Sequence, residues 1–189
     1  MDDVNAMAEK RAERPGLGFL HITRTGGEYL SAKIGLARHD PLLSRHHDIP
    51  SQDILRQRKN WFTMVRNPYE RICSEIFYAK IIPAFRINWE WPRAIESLPD
   101  FILPDSGHFA LQAPYVKVAD RVIHYENMMA EANSLMVEWG YPEINFEDFR
   151  AGPRKTHLPR KTLANLTQVE KDIIYEKYRA DFDALGYDK

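Results

Sequence analysis

The stretch Phe19-Leu20-His21-Ile22-Thr23-Arg24-Thr25-Gly26-Gly27-Glu28-Tyr29-Leu30 changes its rhythm midway. Phe19, Leu20 and Ile22 form a short apolar run of the kind a buried strand needs, and an amphipathic segment from Tyr29 to Leu36 follows. Between them, Gly26 and Gly27 can take backbone angles closed to residues with a Cβ. Strand, glycine turn and helix start, in that order, make a phosphate cradle. The first N–H groups of the helix point at the anion, and Arg24 adds a full positive charge beside the turn.

Residues 61 to 78 repeat the layout with different chemistry. Trp61-Phe62-Thr63-Met64-Val65 reads as an apolar strand ending on Arg66. Asn67 is then a helix N-cap, Pro68 suits the first helical position, and Glu70 stands where a capping-box carboxylate belongs. Tyr69, Ile72, Cys73, Ile76 and Phe77 share one helical face, the expected core face. Ser74 lies off that stripe, and Arg66 with Ser74 forms a candidate grip for a second phosphate.

In these two segments the chain resembles the sulfotransferases that use 3′-phosphoadenosine 5′-phosphosulfate, in the branch of the heparan sulfate 2-O- and 6-O-sulfotransferases and their short bacterial relatives. The family's first motif, His-Ile-Pro-Lys-Thr-Gly-Gly-Thr-Ser-Leu, is similar to His21-Ile22-Thr23-Arg24-Thr25-Gly26-Gly27-Glu28-Tyr29-Leu30. Its second, Val-Arg-Asp-Pro followed by Arg and Ser, is similar to Val65-Arg66-Asn67-Pro68 with Arg71 and Ser74. Residues 174 to 187 resemble the family's C-terminus, and the stretch from 79 to 120 has no counterpart.

The resemblance implies an α/β, P-loop-like three-layer fold with a central parallel sheet and helices on both faces. It implies 3′-phosphoadenosine 5′-phosphosulfate as cosubstrate and transfer of its sulfuryl group to a hydroxyl of a carbohydrate or small-molecule acceptor. Arg24, Thr25, Gly26, Gly27, Glu28 and Tyr29 would hold the 5′-phosphosulfate, and Arg66 with Ser74 the 3′-phosphate. A loop before the last helix closes over the nucleotide in related enzymes, which makes Arg154, Lys155 and Thr156 further candidates.

Sulfuryl transfer needs a donor held in line, a base for the hydroxyl proton and positive charge on the departing phosphate. Arg24 stands where the family has lysine, so it serves the third need as a planar fork rather than a proton donor. A His-x-Asp segment between the two motifs carries the presumed base of the 6-O-sulfotransferases. The similar segment here is His46-His47-Asp48, which puts the base on His46, with His47 as the second candidate. No group of histidines, carboxylates or cysteines has a metal-site spacing, and the chemistry requires no metal. The main departure is Glu28, where the family has Thr or Ser. A carboxylate favours a helix N-terminus but repels a bound phosphate, so it turns outward, pairs with Arg24, or marks a site that has lost its donor.

Length and composition suit one domain over residues 16–189 behind a flexible polar segment, 1–15. The chain has 189 residues, 44% hydrophobic and 28% charged, enough to bury a core. A net charge of −1 argues against a general nucleic-acid binder. One cysteine, Cys73, allows no internal disulfide and reads as a buried thiol. No signal peptide or membrane span is legible, so a cytoplasmic bacterial or viral enzyme is expected, although the animal members of the branch are membrane-anchored.

Elsewhere strands and helices alternate, which implies a parallel sheet covered on both faces. Strands are expected at 17–22, 60–65 and 121–125, and helices at about 27–36, 51–58, 68–81, 88–97, 127–139 and 168–180. Gly140 is placed to end the fifth of these helices, and Thr167 with Glu170 to open the last.

Two other functions remain open. A kinase-like nucleotide phosphotransferase shares the cradle, but Gly-x-x-x-x-Gly-Lys-Ser/Thr is absent and the second strand ends on Arg66 rather than a magnesium-holding aspartate. A non-catalytic nucleotide-binding module is the other, with Glu28 as its main support.

Overall fold

Alternation of side chains along two short strands builds the centre of the molecule. The computed structural model describes residues 13–36, 48–57, 60–81, 95, 107–147 and 161–189, with side chains as far as Tyr78 in the helix that follows Pro68. Strands β1 (Leu17–Leu20), β2 (Asn60–Val65) and β3 (Arg121–His124) form a parallel sheet in the order β1-β2-β3. Leu17 lies opposite Asn60, and Phe62 opposite Arg121. Helices α1 (Gly27–Lys33), α2 (Gln52–Leu55), α3 (Pro68–Ile81), α4 (Ala113–Val118), α5 (Met128–Glu138) and α6 (Gln168–Leu185) surround it.

One side of the sheet presents Leu17, Phe19, Phe62, Met64 and Ile123 to Leu30 and Ile34 from α1 and its end, and to Met128, Ala132, Leu135 and Met136 of α5. The other presents Leu20, Trp61 and Val65 to Tyr115 of α4 and the partly buried Ile54 and Leu55 of α2. Both faces of β1 and β2 are therefore apolar, as strands between two helical layers require. Phe19 and Phe62, both fully buried, stack with ring centres 4.7 Å apart. Burying each ring is worth about 1.5–3 kcal/mol. A further cluster joins α3 to α6 through Tyr69, Ile72, Cys73 and Ile76 against Ile174, Tyr178 and Phe182. Cys73 is buried on that face, as its position in the stripe predicts.

Local chemistry sets the helix ends. Asn67 Oδ1 accepts from the amides of Tyr69 (3.0 Å) and Glu70 (3.4 Å), opening α3. Thr167 and Glu170 cap each other reciprocally at the start of α6. Gly140 (φ 75°) follows α5, and Tyr141 N–H returns to the Met136 carbonyl at 2.8 Å.

Several expected boundaries move. β1 stops at Leu20 rather than 22, where the Thr63 hydroxyl takes the Leu20 carbonyl at 2.8 Å and the chain turns. α1 stops at Lys33 because Gly35 is left-handed (φ 79°) and Leu36 N–H closes on the Ser31 carbonyl. α2 covers only Gln52–Leu55, and β3 yields to a 3₁₀ turn at Tyr125–Asn127 before α5 begins at Met128. α6 continues to Leu185 because Asp181 and Phe182 are buried beyond the expected end. α4 was not expected, Pro114 at its start being the sole local signal. The expected helix at 88–97 lies outside the described residues apart from Ile95, which is buried between α3 and α6. Glu70 is a correction: it closes no capping box. Its carboxylate goes to Arg66 and to the Leu163 amide, and Glu126 takes the Asn67 amide instead (2.9 Å). A guanidinium is the stronger partner for a carboxylate.

Candidate functional site

The C-terminal ends of three parallel strands deliver Arg24, Arg66 and Tyr125 to one place. After β1 the chain runs through His21 and Ile22 into the turn Thr23–Gly26, and two residues of that turn are left-handed: Gly26 (φ 88°) and Arg24 (φ 60°). Glycine adopts this conformation without cost, but for arginine it costs about 1–2 kcal/mol. The surroundings hold it. Arg24 Nε donates to Ser74 Oγ (3.1 Å), its guanidinium lies 4.5 Å from the Tyr78 ring centre, and its carbonyl accepts from Arg66 Nη1 (3.3 Å). The two motifs, about forty residues apart in sequence, thus meet through side chains.

Glycine is needed at both positions of the turn's end for a second reason. A Cβ on Gly27 would stand 2.1 Å from Cδ2 of the buried His21 ring, and one on Gly26 would stand 2.8 Å from the Tyr125 ring. His21 itself stacks on Phe19 and serves as a wall of the turn. Among the described residues no hydrogen bond engages the amides of Gly26 and Gly27, whereas Tyr29 and Leu30 both donate to the Gly26 carbonyl.

Arg66 is fixed at both ends. Gln112 clasps its backbone, accepting from its amide and donating to its carbonyl at 2.9 Å each. Its guanidinium lies 4.5 Å from the Tyr125 ring centre and pairs with Glu70 (3.3 Å). Gln112 is fully buried, and Asp181 of α6 accepts from its amide (2.7 Å) and from that of Ala113 (2.8 Å). Burial pushes the Asp181 carboxyl above its ordinary value, against the pull of Arg71 and of those amides. Arg71, fully buried, donates to the carbonyls of Thr23 (3.2 Å) and His108 (3.1 Å), bracing the turn from beneath. Three guanidiniums therefore converge on one turn.

The C-terminal tail reaches the same region. Tyr187 donates to Glu126 (2.8 Å), the residue whose other oxygen takes the Asn67 amide beside Arg66. Burial first, and then Glu126, push the Tyr187 phenol well above its ordinary range.

The expected site residues distribute as follows. Arg24, Gly26, Gly27, Arg66 and Ser74 come together. The Thr25 hydroxyl turns inward to the Ile22 carbonyl (2.7 Å), leaving only its backbone on the turn. Tyr29 packs at the core margin against Phe146. Glu28 is exposed, and so is Asp48. His46, His47, Arg154, Lys155 and Thr156 lie outside the described residues.

Sequence reasoning did not find Gln112, Tyr125, His108 or Asp181 as members. Tyr125 had a signal, since it follows the third strand as Arg24 and Arg66 follow the first two. Gln112 had none, because its role is to mimic a neighbouring strand from a loop. Compared with family models, with curated proteins and with solved structures, the chain finds no match.

Proposed function

We propose that the protein is a sulfotransferase of the P-loop-like fold that takes a sulfuryl group from 3′-phosphoadenosine 5′-phosphosulfate to a hydroxyl acceptor, a carbohydrate or a small molecule. The observation that carries this reading is the junction of Arg24 with Ser74 and of Arg66 with the Arg24 carbonyl. The two motifs that resemble the family's 5′- and 3′-phosphate grips share one site at the carboxyl ends of parallel strands, the usual ligand position in such sheets.

Each phosphate finds suitable partners. The glycine turn presents amides of Gly26 and Gly27 with the Arg24 charge beside them, and this suits the 5′-phosphosulfate. Arg66 and Ser74 suit the 3′-phosphate, although Ser74 must share its oxygen with Arg24. As sulfate leaves, charge develops on the 5′-phosphate, and a guanidinium already held by Ser74 and Tyr78 needs little reorganisation to meet it. Glu28 is exposed, and water screens an exposed carboxylate, which supports a working donor site over a lost one.

Calorimetry with 3′-phosphoadenosine 5′-phosphate and with ATP plus magnesium tests the reading. Binding of the first in preference to the second is expected, and the reverse preference would favour a phosphotransferase. Transfer of labelled sulfate from the donor to a panel of hydroxyl compounds then separates an enzyme from a binding module.

A further inference from the structure

We propose that His108 and Glu75 are the proton-accepting pair of this site, with His108 as general base and Glu75 as the residue that orients it. The proposal rests on the sulfotransferase reading above. His108 Nδ1 lies 3.0 Å from Glu75 Oε2; the Glu75 side chain is 1% exposed and that of His108 24%. A buried carboxylate on Nδ1 selects the tautomer that donates there, which makes Nε2 the basic nitrogen and stabilises the imidazolium once it forms. Glu75 Oε1 is buried without a hydrogen-bond partner, so among the described residues His108 is the carboxylate's one hydrogen-bond partner.

The pair stands against the donor side of the site. The His108 ring stacks on Tyr78 with centres 5.6 Å apart, and the Arg24 guanidinium lies on that same tyrosine. The His108 carbonyl accepts from the Thr23 hydroxyl (2.9 Å) and from Arg71, which ties it to the residue preceding Arg24. Ser74, Glu75 and Tyr78 come from about one turn of α3, so one helix sets the leaving-group cation and the base together. The family resemblance puts a histidine between the two motifs, whereas His108 follows both, in the stretch without a counterpart.

In the step, the acceptor hydroxyl oxygen forms a bond to sulfur while the bond from sulfur to the bridging phosphate oxygen breaks. That electron pair stays on the 5′-phosphate facing Arg24, and the hydroxyl proton passes to His108 Nε2. The products are the sulfate ester, 3′-phosphoadenosine 5′-phosphate and an imidazolium beside Glu75. Two guanidiniums stand nearby: Arg71 donates to the His108 carbonyl, and Arg24 lies on the Tyr78 ring that His108 also stacks on.

The test uses the full chain with 3′-phosphoadenosine 5′-phosphosulfate, and water, methyl glucoside and 4-nitrophenol as probe acceptors. His108→Gln should lower turnover roughly a hundredfold while affinity for 3′-phosphoadenosine 5′-phosphate stays within about twofold. Glu75→Gln replaces the carboxylate facing the imidazolium with a neutral amide, so the rise of kcat with pH should move to lower pH, a shift that a merely structural pair would not produce. Circular dichroism confirms folding, and if His108→Gln does not fold, the Glu75→Gln pH profile decides. Unchanged turnover in His108→Gln, an unmoved profile in Glu75→Gln, or a parent protein that binds the nucleotide yet turns over no probe would overturn the pair and leave the nucleotide site standing. A parent that does not bind 3′-phosphoadenosine 5′-phosphate would instead sink the underlying reading.

Discussion

Arg24 Nε and Ser74 Oγ lie 3.1 Å apart across fifty positions of chain, and this bond joins a strained turn to the inner face of α3. It accounts for the left-handed arginine: an exposed site would relax it, whereas here Ser74, Tyr78 and Arg66 hold side chain and carbonyl together. A double-mutant cycle on Arg24→Ala and Ser74→Ala, read by urea unfolding, should give a coupling of about 0.5–1.5 kcal/mol. Additive losses would mean that the contact contributes nothing to the fold.

Gly27 is predicted to tolerate no side chain. The added Cβ of Gly27→Ala would meet the His21 ring, which is 2% exposed and stacked on Phe19 with nowhere to retreat. A loss of about 1–3 kcal/mol in unfolding free energy is expected, as for other overpacked sites. Gly107→Ala is the contrast, since among the described residues nothing lies near its Cβ, and its left-handed backbone is what opposes the change.

Glu28 should matter little to the nucleotide. Its side chain is exposed, so Glu28→Thr should change affinity for 3′-phosphoadenosine 5′-phosphate by less than about tenfold, or 1.4 kcal/mol. A much larger gain by calorimetry would show that the carboxylate turns back toward the phosphate when the site fills.

Acid should weaken the protein partly through Glu170. Burial alone would raise this carboxyl, but Lys161 and the Thr167 cap outweigh it and hold the folded value below the ordinary 4.5. A depressed value means stabilisation that is present above pH 4.5 and lost as pH falls through the folded value. Glu170→Gln should therefore be less stable than the parent at neutral pH, with the difference shrinking on acidification. Urea midpoints measured across that range check the sign.

The strand at 60–65 and the helix at 68–81 were legible to the residue, because an apolar run and an Asn-Pro start leave no alternative register. The meeting of Arg24 with Ser74 was legible only as two motifs, not as a bond, since nothing local to either says that they touch. Gln112 and His108 were hidden for a stronger reason: their partners, Arg66 and Glu75, lie 46 and 33 positions away. Loop residues that act through such distant partners carry no periodicity. Glu70 misled because the capping-box spacing was right, yet Arg66 four residues earlier competes for the same carboxylate.

Titration of the parent and of Arg66→Ala with 3′-phosphoadenosine 5′-phosphate and with adenosine 5′-phosphosulfate, which lacks the 3′-phosphate, tests the nucleotide site most directly. Loss of a charge-assisted grip on the 3′-phosphate should weaken the first ligand by about 2–3 kcal/mol and leave the second unchanged, with Tm measured alongside to register the loss of the Glu70 and Tyr125 contacts. Equal weakening of both ligands, or no binding of 3′-phosphoadenosine 5′-phosphate by the parent, would contradict the account.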